Sequence, residues 1–286
     1  KLAYKKEHVD MGSSEINDKY TILVNSCDGF EDCWVPFFTL LEKKWKSCRS
    51  PIVLNTEFKS FVHDGLSIKP SKSHQDTHDR KLTWSECLIR ALDMVDTSLV
   101  LYMQEDYFIQ EPVQSGVIDD FAELMIKDRS IKHIGLTDHG SEPPFIEFNN
   151  DKRLCIIAQN AGYRISTQAG LWRKDALLSY LRSEENGWMF EIFGTKRAQK
   201  KKDLFLTANR ELYNSHQGEI ISYVHTGIIK GQWHADIPRI FNDNNVVIDF
   251  NIRGYYKEKP YIFRKIETTK KLVKNPIKFI TGMLGY

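Results

Sequence analysis

Glu105 and Asp106 stand side by side where an apolar run, Ser98-Leu99-Val100-Leu101-Tyr102-Met103, stops on Gln104. Two adjacent carboxylates at the end of a buried strand are costly unless water, a cation or a basic partner meets them. In open α/β sheets ligands bind outside the carboxyl ends of the strands. The pair therefore marks a candidate site for a metal-bound or otherwise charged ligand. It also reads as a strand-to-loop junction with solvated acids. A further carboxylate, Glu191, follows three bulky apolar residues, Trp188-Met189-Phe190. Desolvation in such a setting raises the pKa of an acid, which suits a general base working near neutral pH. Trp188 offers a ring on which a ligand can stack. The alternative for Glu191 is a helix-start acid complementing the macrodipole, with Trp188 and Phe190 in the core.

These residues need a scaffold, and the chain supplies one by alternation. Tyr20 to Asn25 reads as a strand ending in the polar Asn25-Ser26-Cys27-Asp28-Gly29, and Glu31 to Lys46 carries apolar residues on a helical period. Pro36 fits only near the start of that helix. Pro51 to Asn55 is a second apolar run, ending at Asn55-Thr56-Glu57, and Lys69 to Arg80 reads as a long polar loop. Thr83 to Val95 is an amphipathic helix with Thr83 or Ser85 as cap. It feeds the strand that ends at Glu105-Asp106. Further on, helix is expected around Phe121 to Ile126 and at Leu171 to Arg182, and strand at Ile131 to Leu136 and Tyr223 to Ile229. Such alternation implies an α/β fold with a mixed, mostly parallel sheet flanked by helices. Three polar strand ends, at Asn25–Asp28, Asn55–Glu57 and Glu105–Asp106, would then share one edge.

Composition narrows the function classes. With 286 residues, 40 basic and 38 acidic, the net charge is +2, so no global field draws the chain to nucleic acid. Its basic runs lack interleaved stacking aromatics. Five scattered cysteines (Cys27, Cys33, Cys48, Cys87, Cys155) read as reduced thiols of a cytoplasmic protein. No run approaches the roughly 18 apolar residues of a membrane span, and no signal peptide is expected. Residues 1–19 read as a flexible N-terminal segment, the part ahead of Met11 as foreign to the natural chain. Residues 20–262 read as the catalytic domain, and 263–286 as a basic amphipathic tail suited to an anionic membrane face. Asp138 and His139 form either a ligand pair or a solvated loop pair. Lys200-Lys201-Lys202 reads as a solvated face.

Over roughly residues 20 to 235, the sequence of strand ends, helix and acidic strand terminus resembles the nucleotide-sugar half of GT-A-fold (Rossmann-like) glycosyltransferases, of the bacterial polysaccharide-assembly type. The resemblance implies that Asn25, Asp28 and Glu57 face the nucleoside of the donor. It puts Glu105 and Asp106 where the family's Asp-x-Asp motif meets the donor diphosphate, usually through Mn²⁺ or Mg²⁺. The sequence departs from the motif, since only one residue of Gln104-Glu105-Asp106 matches. Where no metal binds, Lys196 or Arg197 is the expected substitute, because charge grows on the leaving diphosphate. A late histidine, His225 or His234, is implied as a metal ligand beside Asp106. Gln168-Ala169-Gly170 matches the small-residue segment bordering the donor sugar, and Glu191 the base of an inverting transfer, with Trp188 holding the acceptor. The activity implied is glycosyl transfer from a nucleotide sugar to a glycan or lipid-linked acceptor in surface polysaccharide assembly. The rivals are a nucleotidyltransferase and a non-catalytic glycan- or nucleotide-binding module.

Overall fold

The computed structural model describes residues 19–77 and 80–258. The tail at 263–286 and all but Lys19 of the N-terminal segment lie outside the described residues. The chain opens with β1 (Thr21–Asn25), α1 (Glu31–Lys44), β2 (Ile52–Leu54), β3 (Ile68–Pro70), α2 (Trp84–Asp93) and β4 (Leu99–Gln104). It continues with α3 (Ser115–Lys127), β5 (Ile131–Gly135), β6 (Phe145–Glu147), β7 (Leu154–Ile157), β8 (Gly170–Arg173), α4 (Lys174–Tyr180) and α5 (Gly187–Lys200). The last elements are β9 (Leu204–Ala208), β10 (Ile228–Ile229), β11 (Gln232–Trp233) and α6 (Ile237–Asp243).

Nine strands form one sheet in the order β3-β2-β1-β4-β8-β5-β9-β7-β6, with β10 and β11 paired apart. Seven strands run one way and only β8 and β7 oppose them. This is the α/β architecture, a mixed, mostly parallel sheet flanked by helices, that the alternation implies. Successive strand residues face opposite sides. Along β1, Ile22 and Val24 therefore join the core under α1 and α3, and Leu23 joins the core under α2, α4 and α5. The three layers bury both faces of the sheet. Among the described residues, no helix is long and apolar enough to cross a membrane.

The parallel register β2-β1-β4 puts Leu54, Val24 and Met103 level, so the polar residues that follow, Asn55, Asn25 and Gln104, do share one edge. The ends of β5 and β9 and the start of β8 reach the same edge. Some boundaries differ from expectation. Leu171–Arg173 is strand, not helix: β8 is inserted antiparallel between β4 and β5 and fully buried, and so short an apolar run has no period to distinguish it. Of Tyr223 to Ile229, only Ile228–Ile229 forms a strand, while Tyr223 makes a single bridge to Ile109. Pro36 sits in the second turn of α1, not the first. Within the expected loop, Lys69 and Pro70 close the edge strand β3, where a proline can be accommodated.

Candidate functional site at the carboxyl edge

Asp106 leaves β4 into the interior and is only 6% exposed. Its Oδ2 accepts hydrogen bonds from Thr226 Oγ1 (2.7 Å) and the Ile228 amide (3.0 Å). The Gly227 amide donates to the Asp106 carbonyl at 3.1 Å. The segment Thr226-Gly227-Ile228 can lie this close because residue 227 has no side chain. A Cβ there would stand 2.4 Å from the Phe108 ring and 2.6 Å from that carbonyl. Asp106 Oδ1 is buried with no hydrogen-bond partner. Burial lifts the Asp106 pKa, against the opposing pull of its Thr226 and Ile228 hydrogen bonds. Glu105, also buried, is pushed well above the ordinary carboxylate range by burial and then by the charge of Asp106.

The next residue ties this strand end to the second candidate acid. Tyr107 Oη donates to the Thr167 carbonyl at 2.9 Å, and the Thr167 amide and hydroxyl each donate to Glu191 Oε1 at 2.8 Å. Asn186 caps α5 by accepting from the Met189 amide, which fixes the first turn and sets Glu191 at its fifth position. Glu191 is half-buried, and burial raises its pKa while the Thr167 donors oppose the rise. It faces a cleft of about 430 Å³ whose walls include Gln104, Tyr107, Tyr163, Thr167, Gln168 and Thr226. Gln168 is anchored by Tyr223 Oη, which donates to its Oε1 at 3.0 Å, and its amide reaches the His225 carbonyl. The sheet edge thus gathers a desolvated carboxylate, two amides and several hydroxyls around one polar cavity. Such a set can take up a proton and hydrogen-bond a hydroxylated ligand.

Other expected site residues stand elsewhere or do other work. The Asp28 carboxylate accepts from the amides of Glu57, Phe58 and Lys59, so it shapes the loop after β2. Asn25 is buried and accepts from Asn55 Nδ2 at 2.8 Å, locking two strand ends together. Glu57 stays half-buried, with Oε1 4.0 Å from His74 Nε2. Gly170 is needed for packing, since a Cβ there would lie 2.5 Å from His133 Nε2. Burial pushes His133 down to about 3, keeping it neutral in this tight place. Trp188 is half-buried on the first turn of α5 and is not on the cleft wall.

Arg197 corrects the expectation of a donor-facing cation. It is buried against Glu185 through two hydrogen bonds (2.7 and 2.6 Å) and donates to the Tyr180 carbonyl. On a helix, six positions beyond Glu191 place it about 120° around the axis. Lys196 is half-buried and reaches toward Gln199 Oε1 at 3.4 Å. The residues missed by sequence reasoning are Thr167, Tyr107, Thr226 and Gly227. Only Gly227, set inside the expected strand Tyr223 to Ile229, carries a signal of close backbone approach.

The Asp106 position does not fit Mn²⁺ or Mg²⁺ as it stands. Both cations demand several exposed oxygen ligands. Here one Asp106 oxygen already accepts from two donors, and Glu105 beside it is held toward its neutral form. His234 uses Nδ1 to accept from the Asp236 amide. Among the described residues, the metal-ligating group that comes together is Asp138, His139 and Glu219, which includes neither Asp106 nor His234.

No family model matches the chain, and no curated protein does. Among solved structures it is similar to S. aureus TarS 1–349, at 12% identity and a TM-score of 0.45 over 82% of this chain and 68% of that one. It is also similar to glucosyl-3-phosphoglycerate synthase from Mycobacterium tuberculosis in complex with Mn²⁺ and UDP-glucose (8% identity, TM-score 0.41, 73% and 72% of the two chains). A mycobacterial protein matches at 8% identity and a TM-score of 0.41 over 68% of this chain, which spans 65% of that protein. At these identities and scores the likeness transfers no residue's role to this chain.

Proposed function

We propose that the cleft binds a nucleotide-sugar donor and passes its glycosyl group to a hydroxyl of a glycan or lipid-linked acceptor. The observation that carries this reading is the position of Glu191. It is a desolvated carboxylate with a raised pKa on the wall of a polar cavity, joined through Thr167 and Tyr107 to the strand end bearing Glu105 and Asp106. In an inverting transfer the acceptor oxygen attacks the anomeric carbon as its bond to the donor phosphate breaks. Glu191 takes the acceptor proton, and the nucleoside diphosphate leaves with the bonding pair. Thr167 holds Glu191 by one oxygen and so fixes its aim, while the hydroxyl and amide groups of Thr226, Gln104 and Gln168 supply polar contacts to the sugar. No step passes through a metal at Asp106. Work at the cytoplasmic face of a membrane, on polysaccharide precursors, suits the basic tail outside the described residues.

The test is a thermal-shift panel of nucleotide sugars and nucleoside diphosphates on the full chain, because a ligand of the native state raises its stability. At least one nucleotide sugar should raise the melting temperature of both the wild type and Glu191→Gln. Silence across the panel contradicts the reading. The covering of Asp106 by Thr226 and Ile228 favours a second reading, a binding module without turnover. A donor-induced shift with no sugar transferred to any acceptor would mark it, whereas release of pyrophosphate from a nucleoside triphosphate would mark a nucleotidyltransferase.

A further inference from the structure

The loop after β5 and the segment after β9 meet beside His225, a residue of the cleft wall. Asp138, His139 and Glu219 each present one ligand atom there, and these atoms all lie within 4.8 Å of one another. The His139 Nδ1 is 3.2 Å from Asp138 Oδ1. That oxygen is buried and has no hydrogen-bond partner. His225, which lies on the cleft wall, places its ring 5.0 Å from the His139 ring, centroid to centroid. Arg210 contributes a positive charge near Asp138, but its Nη2 donates to the Ser141 carbonyl and its guanidinium lies over the Phe145 ring at 4.6 Å.

A buried carboxylate oxygen without a donor is a cost that a cation removes. One imidazole and two carboxylates drawn from two chain segments form a donor set for a divalent transition ion; the imidazole argues against Mg²⁺ or Ca²⁺, which take oxygen ligands. We propose that Asp138, His139 and Glu219 bind a divalent transition ion of the zinc class. His225 stands on the open, cleft-facing side of this site. The ion would tie the segment carrying Glu219, His225 and Thr226 to the loop after β5, and so hold one wall of the cleft in place. This site is separate from Asp106 and does not rest on the glycosyl-transfer reading.

The probe is the metal alone. The full chain, stripped with EDTA and dialysed, is titrated with ZnCl₂, MnCl₂ and MgCl₂ by calorimetry, then melted. Zn²⁺ should bind with a stoichiometry of one at this site and raise the melting temperature by about 5 °C at a hundredfold excess over Kd, with Mn²⁺ weaker and Mg²⁺ without effect. His139→Ala and Glu219→Gln should each weaken Zn²⁺ at least about tenfold, in the range of a lost ligand or its support, and Asp106→Asn should leave it unchanged. Cobalt(II) bound to the wild type should show the visible d–d absorption of a nitrogen-containing site, a readout that stands if a variant fails to fold. Absence of saturable Zn²⁺ binding overturns the proposal, as does binding that survives intact in folded His139→Ala and Glu219→Gln. A Mg²⁺ response equal to that of Zn²⁺ also overturns it.

Discussion

Glu191 and Thr167 are joined twice: the amide and the hydroxyl of Thr167 both donate to the same oxygen, Glu191 Oε1, at 2.8 Å. Donors to a carboxylate favour its charged form, whereas burial favours the neutral one. Here burial is the larger effect, and the pKa is raised. Thr167→Val removes the hydroxyl donor and keeps the amide. It should raise the Glu191 pKa further and move the acid limb of the kcat/KM profile to higher pH, with little change at the alkaline plateau. An acid limb in the same place in both proteins would separate Glu191 from the rate.

The pair Glu105–Asp106 should make stability depend on pH in a defined direction. Burial and the Asp106 charge raise the Glu105 pKa well above its ordinary 4.5 in the folded chain. Between those two values the folded state keeps a proton that the unfolded chain has released, so stability falls as pH rises through the window. Glu105→Gln mimics the neutral acid and should flatten this fall and stabilise the protein at alkaline pH. Asp106 and Glu191, also raised, keep part of the slope. Urea midpoints measured from pH 4.5 upward give the answer; parallel curves for the two proteins would refute the assignment.

Thr226 is expected to matter for folding before it matters for ligand. Thr226→Val leaves Asp106 Oδ2 with the Ile228 amide alone, on a residue that is itself buried. Removing one partner of a buried polar group costs about 1–3 kcal/mol, which denaturant unfolding resolves. A loss below a few tenths would mean that this contact is not made in solution.

The Arg197–Glu185 pair offers a contrast. Glu185→Gln leaves Arg197 buried without its counter-charge and should cost about 3–5 kcal/mol, while the double change Glu185→Leu/Arg197→Met should recover much of that loss. Activity per folded molecule should be unchanged in the double variant, because Arg197 turns away from the cleft. A selective loss of donor affinity would return Arg197 to the diphosphate.

The parts of this fold legible in the chain were those with a sharp period or a polar stop. The β1, β2 and β4 runs, each ending in polar residues, and the amphipathic α2 with its Thr83–Glu86 capping box announce themselves locally. β6, β7 and β9 do not, because they are short and their pairing partners are distant in sequence. Glu191 was legible from three bulky neighbours and a turn at Glu184–Gly187. Its partner Thr167 was not, since nothing in Ser166-Thr167-Gln168 says which helix will pack above it. The covering of Asp106 by Thr226 depends on contacts about 120 positions apart. No local pattern encodes a contact of that span. The orientation of Arg197 is legible too, because extending the helical period six residues past Glu191 turns it to another face.

The central claim is that Glu191 is the base of a glycosyl transfer in this cleft. The direct measurement is a single-turnover assay with a nucleotide sugar that shifts the melting temperature, following sugar on the acceptor and nucleoside diphosphate together. Wild type should form both in equal amounts, and Glu191→Gln should be slower by about 10²- to 10⁴-fold with donor affinity nearly intact. Equal rates in the two proteins would contradict the account.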